Sequence, residues 1–307
     1  MTSELPLIVY TIMMQLAVGS FIAIELVRFF AARKSSPQEA GKLTNRVVFS
    51  LGPIAVIGVL GAFFHLEVPL FAPYTLLGAA TSWMSREILL TTIFTALVIA
   101  YSIILLLSKL KLQLLKTIFA AVTSVVGLAL IYCMARAYMM PTFPAWDTLA
   151  TPFSFYATTI LLGAVFSGAA LALNYYLAKR KDPDCAKLQC SLLKKAVKWV
   201  TLVAAVALGI GMVIIPLHLS SLALGENPAA LASLGLWVGE YGIWFAIRLA
   251  FVFVGAGILG IFVYRNAVQE NQELQISNLI YVAFALVFVS EILGRFLFYA
   301  TAVSIAI

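Results

Sequence analysis

Residues 5 to 30 read LPLIVYTIMMQLAVGSFIAIELVRFF, an apolar run interrupted only by Gln15 before the charged Glu25 and Arg28 near its far end. A stretch of about 20 such residues spans the roughly 30 Å hydrocarbon core of a bilayer as a helix. Seven more runs of this kind follow. We place the spans at Leu5 to Phe30, Val47 to Phe64, Ile88 to Leu107, Thr117 to Ala137, Phe153 to Leu177, Val197 to Leu217, Ile243 to Tyr264 and Leu279 to Phe298. The runs are continuously apolar rather than alternating. Lipid leaves no backbone polar group a water partner, so a helical bundle is expected over a β-barrel.

Composition agrees with this reading. Of the 307 residues, 63% are apolar and 11% charged, against about a quarter charged in ordinary soluble domains. No linker is long enough to hold a soluble domain, and no internal repeat is evident. The expectation is an all-α polytopic bundle of eight transmembrane helices, forming one integral membrane domain over residues 1–307.

The net charge of +7 does not call for nucleic acid, because the basic residues are sorted by side. Sixteen fall on the first, third, fifth and seventh connections, in Arg28 to Arg46, Lys109 to Lys116, Lys179 to Lys198 and Arg265. Three, Arg86, Arg136 and Arg295, fall toward the other face, and Arg248 lies inside a helix. Short connections rich in Lys and Arg stay in the cytoplasm, which puts both termini on the periplasmic side of a bacterial inner membrane. The first run has no basic stretch before it and no small-residue cleavage signal, so it reads as a retained helix.

Ionisable residues at membrane depth are costly and mark function by default. The second span ends in Phe63-Phe64-His65-Leu66-Glu67-Val68-Pro69, and the third opens with Trp83-Met84-Ser85-Arg86-Glu87 at the same face. His65 and Glu87 thus flank one connection, where an imidazole and a carboxylate can accept protons from a bound molecule. A quinol releases two protons with its two electrons. Such groups, with the apolar and aromatic surroundings of Trp83 and with Arg86, suit its head and tail. The plainer alternative is a solvated histidine at a helix end and an interfacial Arg-Glu pair.

Three further signals accompany these. Arg248 and Glu291 both lie roughly 10 to 12 Å below the periplasmic face at 1.5 Å per residue, and they are expected to pair. Arg295, four residues after Glu291, is expected to join them in a structural charge network. Gln15 is placed to hydrogen-bond either a quinone carbonyl or another helix. His218 closes the sixth span, and two histidines on one face raise the possibility of a single haem. Stacked haems would need four such ligands. Cys133 falls in a span, and Cys185 and Cys190, two thiols without further ligands in a basic connection, are too few for a zinc or iron–sulfur site, so no metal is expected.

Several short pieces, in order and at matching spacing, resemble the DmsC-type membrane-anchor family of dimethyl sulfoxide reductases. They are Glu4-Leu5-Pro6-Leu7 with Gln15 and Gly19-Ser20-Phe21, His65-Leu66 with Pro69, and Ser85-Arg86-Glu87-Ile88. Arg136-Ala137-Tyr138, Pro144-Ala145-Trp146, Thr151-Pro152, and Glu291-Ile292-Leu293-Gly294-Arg295 with Phe298-Tyr299 complete the set. The resemblance implies a haem-free subunit that oxidises quinol, usually menaquinol, for anaerobic respiration. It also implies two periplasmic partners, one carrying four [4Fe-4S] clusters and one a molybdenum cofactor. It ties the positions of His65 and Glu87 to quinol binding and oxidation. Glu67, Phe71-Ala72-Pro73 and the long basic stretch from Lys179 to Lys198 depart from the family pattern. An anchor of the polysulfide-reductase type, and a transporter using Arg248, Glu291 and Gln15, remain the alternatives.

Overall fold

A computed structural model describes residues 4–65, 69–107, 113–181, 186–268 and 275–305. Among these are nine α-helices and no strand. They are α1 (Leu5–Lys34), α2 (Pro37–His65), α3 (Trp83–Leu107), α4 (Gln113–Tyr138), α5 (Ala150–Lys181), α6 (Ala186–Ala223), α7 (Pro228–Val238), α8 (Gly242–Val268) and α9 (Gln275–Ala300). A 3₁₀ helix, Pro69–Gly78, lies between α2 and α3. Eight of the α-helices are long and apolar enough to cross a membrane, and they contain the eight spans expected from sequence.

The helices outrun those spans at the basic face. α2 begins ten residues before Val47, and α6 begins eleven before Val197. Lys and Arg are good helix formers, so leaving the hydrocarbon does not end the helix. Ser35 turns the chain by donating from its backbone N–H and hydroxyl to the Ala31 carbonyl. Ser36 then accepts from the Glu39 N–H at 3.3 Å, and Pro37 opens α2, where its missing N–H is no loss. Arg28, which the charge census groups with the first connection, is instead buried inside α1. There it meets Glu25 at 3.3 Å and the Tyr101 hydroxyl of α3, while Tyr101 donates to Glu25 at 2.9 Å.

Sequence reading misses α7. Its 11 residues are too few to cross a membrane, and it packs at the face where α1 begins, called here the amino-terminal face. Asn227 caps it by accepting from the Ala229 N–H at 2.8 Å, with Pro228 at its first turn.

α1 and α5 form the centre of the bundle. Lipid offers apolar side chains no water to escape, so contact between helices rests on close packing, and small residues permit it. A methyl group on Gly19 of α1 would collide with the Thr159 carbonyl of α5. On the other side of α1, a methyl on Gly61 of α2 would lie 2.8 Å from the Pro6 carbonyl. Met14, Val18, Phe21, Leu51, Phe94 and Leu130 fill the fully buried layer around α1.

Candidate functional site

Because α1, α3, α5 and α8 begin at the amino-terminal face and α2, α4, α6 and α9 end there, Gln15, His65, Glu87, His218, Arg248, Glu291 and Arg295 belong to one half of the bundle. At the start of α3, Ser82 receives the Arg86 N–H on its carbonyl. The Arg86 side chain folds back to donate to the carbonyls of Ala79 at 2.9 Å and Ala80 at 2.5 Å. Its guanidinium sits 4.4 Å from the Trp83 ring, and Arg136 of α4 approaches the same ring at 5.4 Å. Trp83 thus meets two cations.

Glu87, one turn further in, points into the bundle and is 6% exposed. Tyr10 of α1 reaches it across the interface and shares a 2.8 Å hydrogen bond with Thr91. Among the described residues Glu87 has no ion-pair partner. His65 is the last residue of α2, at the same face, and is exposed. The structure makes no hydrogen bond between His65 and Glu87. Leu66, Glu67 and Val68, which follow His65, lie outside the described residues, as does Cys185.

A second polar group sits deeper. Arg295 donates from Nη2 to Gln15 Oε1 at 2.9 Å, and Gln15 Nε2 donates to the Phe155 carbonyl at 2.9 Å. Both ends of the Gln15 amide are therefore engaged between helices. The Arg295 guanidinium stacks over Phe155 at 3.8 Å. The expected Arg248–Glu291 ion pair is not formed, since the two ion pairs among the described residues are Glu25–Arg28 and Glu39–Lys42. Its absence has a local cause. Gly294 leaves a notch that the Arg248 guanidinium fills, so that a methyl there would lie 2.6 Å from its central carbon. Thr158 of α5 meanwhile donates to Glu291 at 2.6 Å.

Arg248, Glu291 and Arg295 instead share a cavity of about 100 Å³ between α5, α6, α8 and α9. His218 lines it and packs edge-on against Trp237 of α7, 6.2 Å between ring centres. Beside it, the Tyr138 and Tyr299 hydroxyls meet at 2.7 Å, and the Trp146 indole donates to the Phe298 carbonyl at 2.8 Å. Tyr10, Thr158, Trp237 and Gly294 are the members that sequence reasoning missed. Each acts on a helix remote in sequence from its partner, and only the small residue in Glu291-Ile-Leu-Gly-Arg295 hinted at one. No cluster of three or more His, Cys, Asp or Glu side chains suited to a metal occurs among the described residues. Cys133 is buried and unpaired.

The protein is 29% identical over 296 residues to the C subunit of the anaerobic dimethyl sulfoxide reductase of Haemophilus influenzae, covering 96% of this sequence and 94% of that one. It is also 29% identical to the Escherichia coli protein of the same name, over 55% of this sequence and 58% of that one. The YnfH subunit of an E. coli anaerobic dimethyl sulfoxide reductase matches at 26% over a similar share. In fold it is similar to part of the bd oxidase structure from Geobacillus thermodenitrificans, with TM-score 0.65 at 11% identity, covering 97% of this protein and 84% of the matched polypeptide. That last likeness is one of architecture alone. Eight apolar helices and the anchor-type relatives make this a multi-pass protein of the bacterial inner membrane. With the model of the DMSO reductase anchor subunit matching residues 1–301, the chain belongs to the DmsC family.

Proposed function

We propose that this protein, as one membrane domain, anchors a molybdoenzyme reductase and oxidises quinol for it, with both termini and the amino-terminal face in the periplasm. The observation that carries the reading is Glu87. It is a carboxylate buried one turn below that face and facing the Tyr10 hydroxyl, one turn along α3 from the Trp83 that Arg86 and Arg136 approach. An ionisable group at such depth without an ion-pair partner among the described residues is placed for proton chemistry rather than for holding helices together.

Quinol, with menaquinol the form expected from the family, enters from lipid near His65. One hydroxyl is deprotonated toward the imidazole and the other toward Glu87. Both protons pass to the periplasm. The two electrons leave for the nearest cluster of a four-cluster iron–sulfur subunit docked on the same face, and from there reach a molybdenum subunit. The anchor itself carries no haem in this reading. Since protons and electrons leave on one side, the step moves no net charge across the membrane. Family membership supports the partners, and the sixteen-to-three division of basic residues supports the orientation. The terminal acceptor is set by the molybdenum subunit.

The test is to purify the whole complex carrying His65→Arg or Glu87→Lys. Quinol oxidation should stop while the partner subunits stay bound. Normal quinol turnover in either variant would end the proposal.

A further inference from the structure

Arg248 and Arg295 bring two guanidinium groups to one cavity in the membrane, and Glu291 is the carboxylate that lines it with them. One positive charge is left over. Apart from the Arg295 bond to Gln15, the hydrogen bonds within the protein leave these cations short of acceptors. The Nε atoms of Arg248 and Arg295 are buried without an acceptor, and so is the Trp237 indole N–H. Arg295 and Trp237 are each 5% exposed. Arg248, Arg295 and Trp237 all line this cavity, and buried donors without partners are rare in folded proteins.

The lining is graded along the membrane normal. Toward the amino-terminal face it is polar, with Thr151, His218, Arg248 and Arg295. Toward the middle of the bilayer it becomes Leu161, Ala207, Leu208 and Val252. The helix directions dictate this order, since α5 and α8 enter at that face and α6 and α9 leave by it. Most of the α5 and α9 lining is buried, as are Ala207 and Leu208 of α6, whereas Met212 and Ile215 of α6, nearer the amino-terminal face, and Arg248 of α8 are partly exposed. The opening therefore lies on the α6 and α8 side, where Val213, Leu217 and Phe253 present apolar surface outward.

We infer that this cavity binds one singly charged oxyanion group, the phosphodiester of a membrane phospholipid, with its oxygens on Arg248, Arg295 and the Trp237 N–H and its acyl tails along the α6–α8 opening. The charge balances. The cavity, about 100 Å³, has room for a phosphate group at its polar end. Guanidinium groups donate to phosphate oxygens in paired, charge-assisted bonds. Free inorganic phosphate offers the same oxygens without the tails, and the experiment separates the two sources.

The intact complex is purified in detergent and washed extensively, and its bound phosphorus is measured after solvent extraction. The same is done for Arg248→Gln and for Trp237→Phe, which deletes only an N–H. The wild type should retain extractable phospholipid equimolar with the anchor. The Arg248→Gln complex should hold it about tenfold more weakly, the effect of losing one charged hydrogen-bond donor, and Trp237→Phe should weaken it less. Phosphorus that stays aqueous and exchanges with labelled inorganic phosphate supports the oxyanion site with the free ion as its occupant. Absence of both forms from the wild type, or equal retention in all three complexes, overturns the inference. The readout needs no electron transfer, so it stands or falls apart from quinol oxidation.

Discussion

Arg295 and Gln15 lie 280 positions apart and are joined by a 2.9 Å hydrogen bond that ties the last helix to the first. Arg295 is 5% exposed, so removing its acceptor leaves a buried charge without that hydrogen bond. Gln15→Leu should lower the unfolding free energy of the solubilised protein by about 1.5–3 kcal/mol, read as a fall in thermal midpoint. In a double-mutant cycle with Arg295→Met, the two losses should fall well short of additive. Strict additivity would show that the bond contributes nothing.

The close approach of α1 and α5 predicts a sharp contrast between glycines. Gly19→Val forces its side chain into the Thr159 carbonyl and should abolish accumulation of the protein in membranes. Gly209→Ala, on α6 with no other side chain or helix within 4 Å, should leave accumulation unchanged. Equal expression of the two variants would show that α1 and α5 do not depend on this contact.

Glu87 and Tyr10 give a graded prediction for catalysis. Loss of a positioned proton acceptor typically costs about 10² to 10⁴ in rate, so Glu87→Gln should cut quinol oxidation by about that much. Tyr10→Phe keeps the ring but deletes the hydroxyl that faces Glu87 and bonds Thr91, and it should cause a smaller loss. Stopped-flow quinol oxidation by the intact complex would measure both. A Tyr10→Phe defect as large as that of Glu87→Gln would point to collapse of the interface.

Orientation is open to chemical labelling. In a background without native cysteines, Glu240→Cys should react with a membrane-impermeant maleimide from the periplasm of intact cells. Gln38→Cys, exposed near the start of α2 at the opposite face, should react only after permeabilisation. The reverse pattern would invert the proposed topology.

These residues also show what could and could not be read from the amino-acid order alone. The eight spans were readable because each is an unbroken apolar run, and the hydrocarbon thickness sets its length. α7 was not, since 11 residues between two spans look like an ordinary connection. Depth along a helix follows from counting residues, so Arg248, Glu291 and Arg295 were placed correctly in one half of the bundle. Whether their side chains touch depends on rotation about each helix axis. Gly294 and Thr158 decide that, by drawing arginine and carboxylate to different neighbours. Glu87 announced itself as a charge at a helix start, whereas its partner Tyr10 sits on another helix and had no local signal.

The layer around α1 that holds Phe21, Ile24, Leu51, Phe94, Val98 and Ile131, all 0% exposed, separates Gln15 above from the Glu25, Arg28 and Tyr101 knot below by ten residues of α1, about 15 Å of rise. The hydroxyls within this stretch, Ser20 and Thr95, have no hydrogen-bond partner among the described residues, so no continuous chain of hydrogen bonds carries hydrogen ions along it. An idle complex should therefore leave the cell's proton gradient intact, acting as an electrical insulator however much water visits either end.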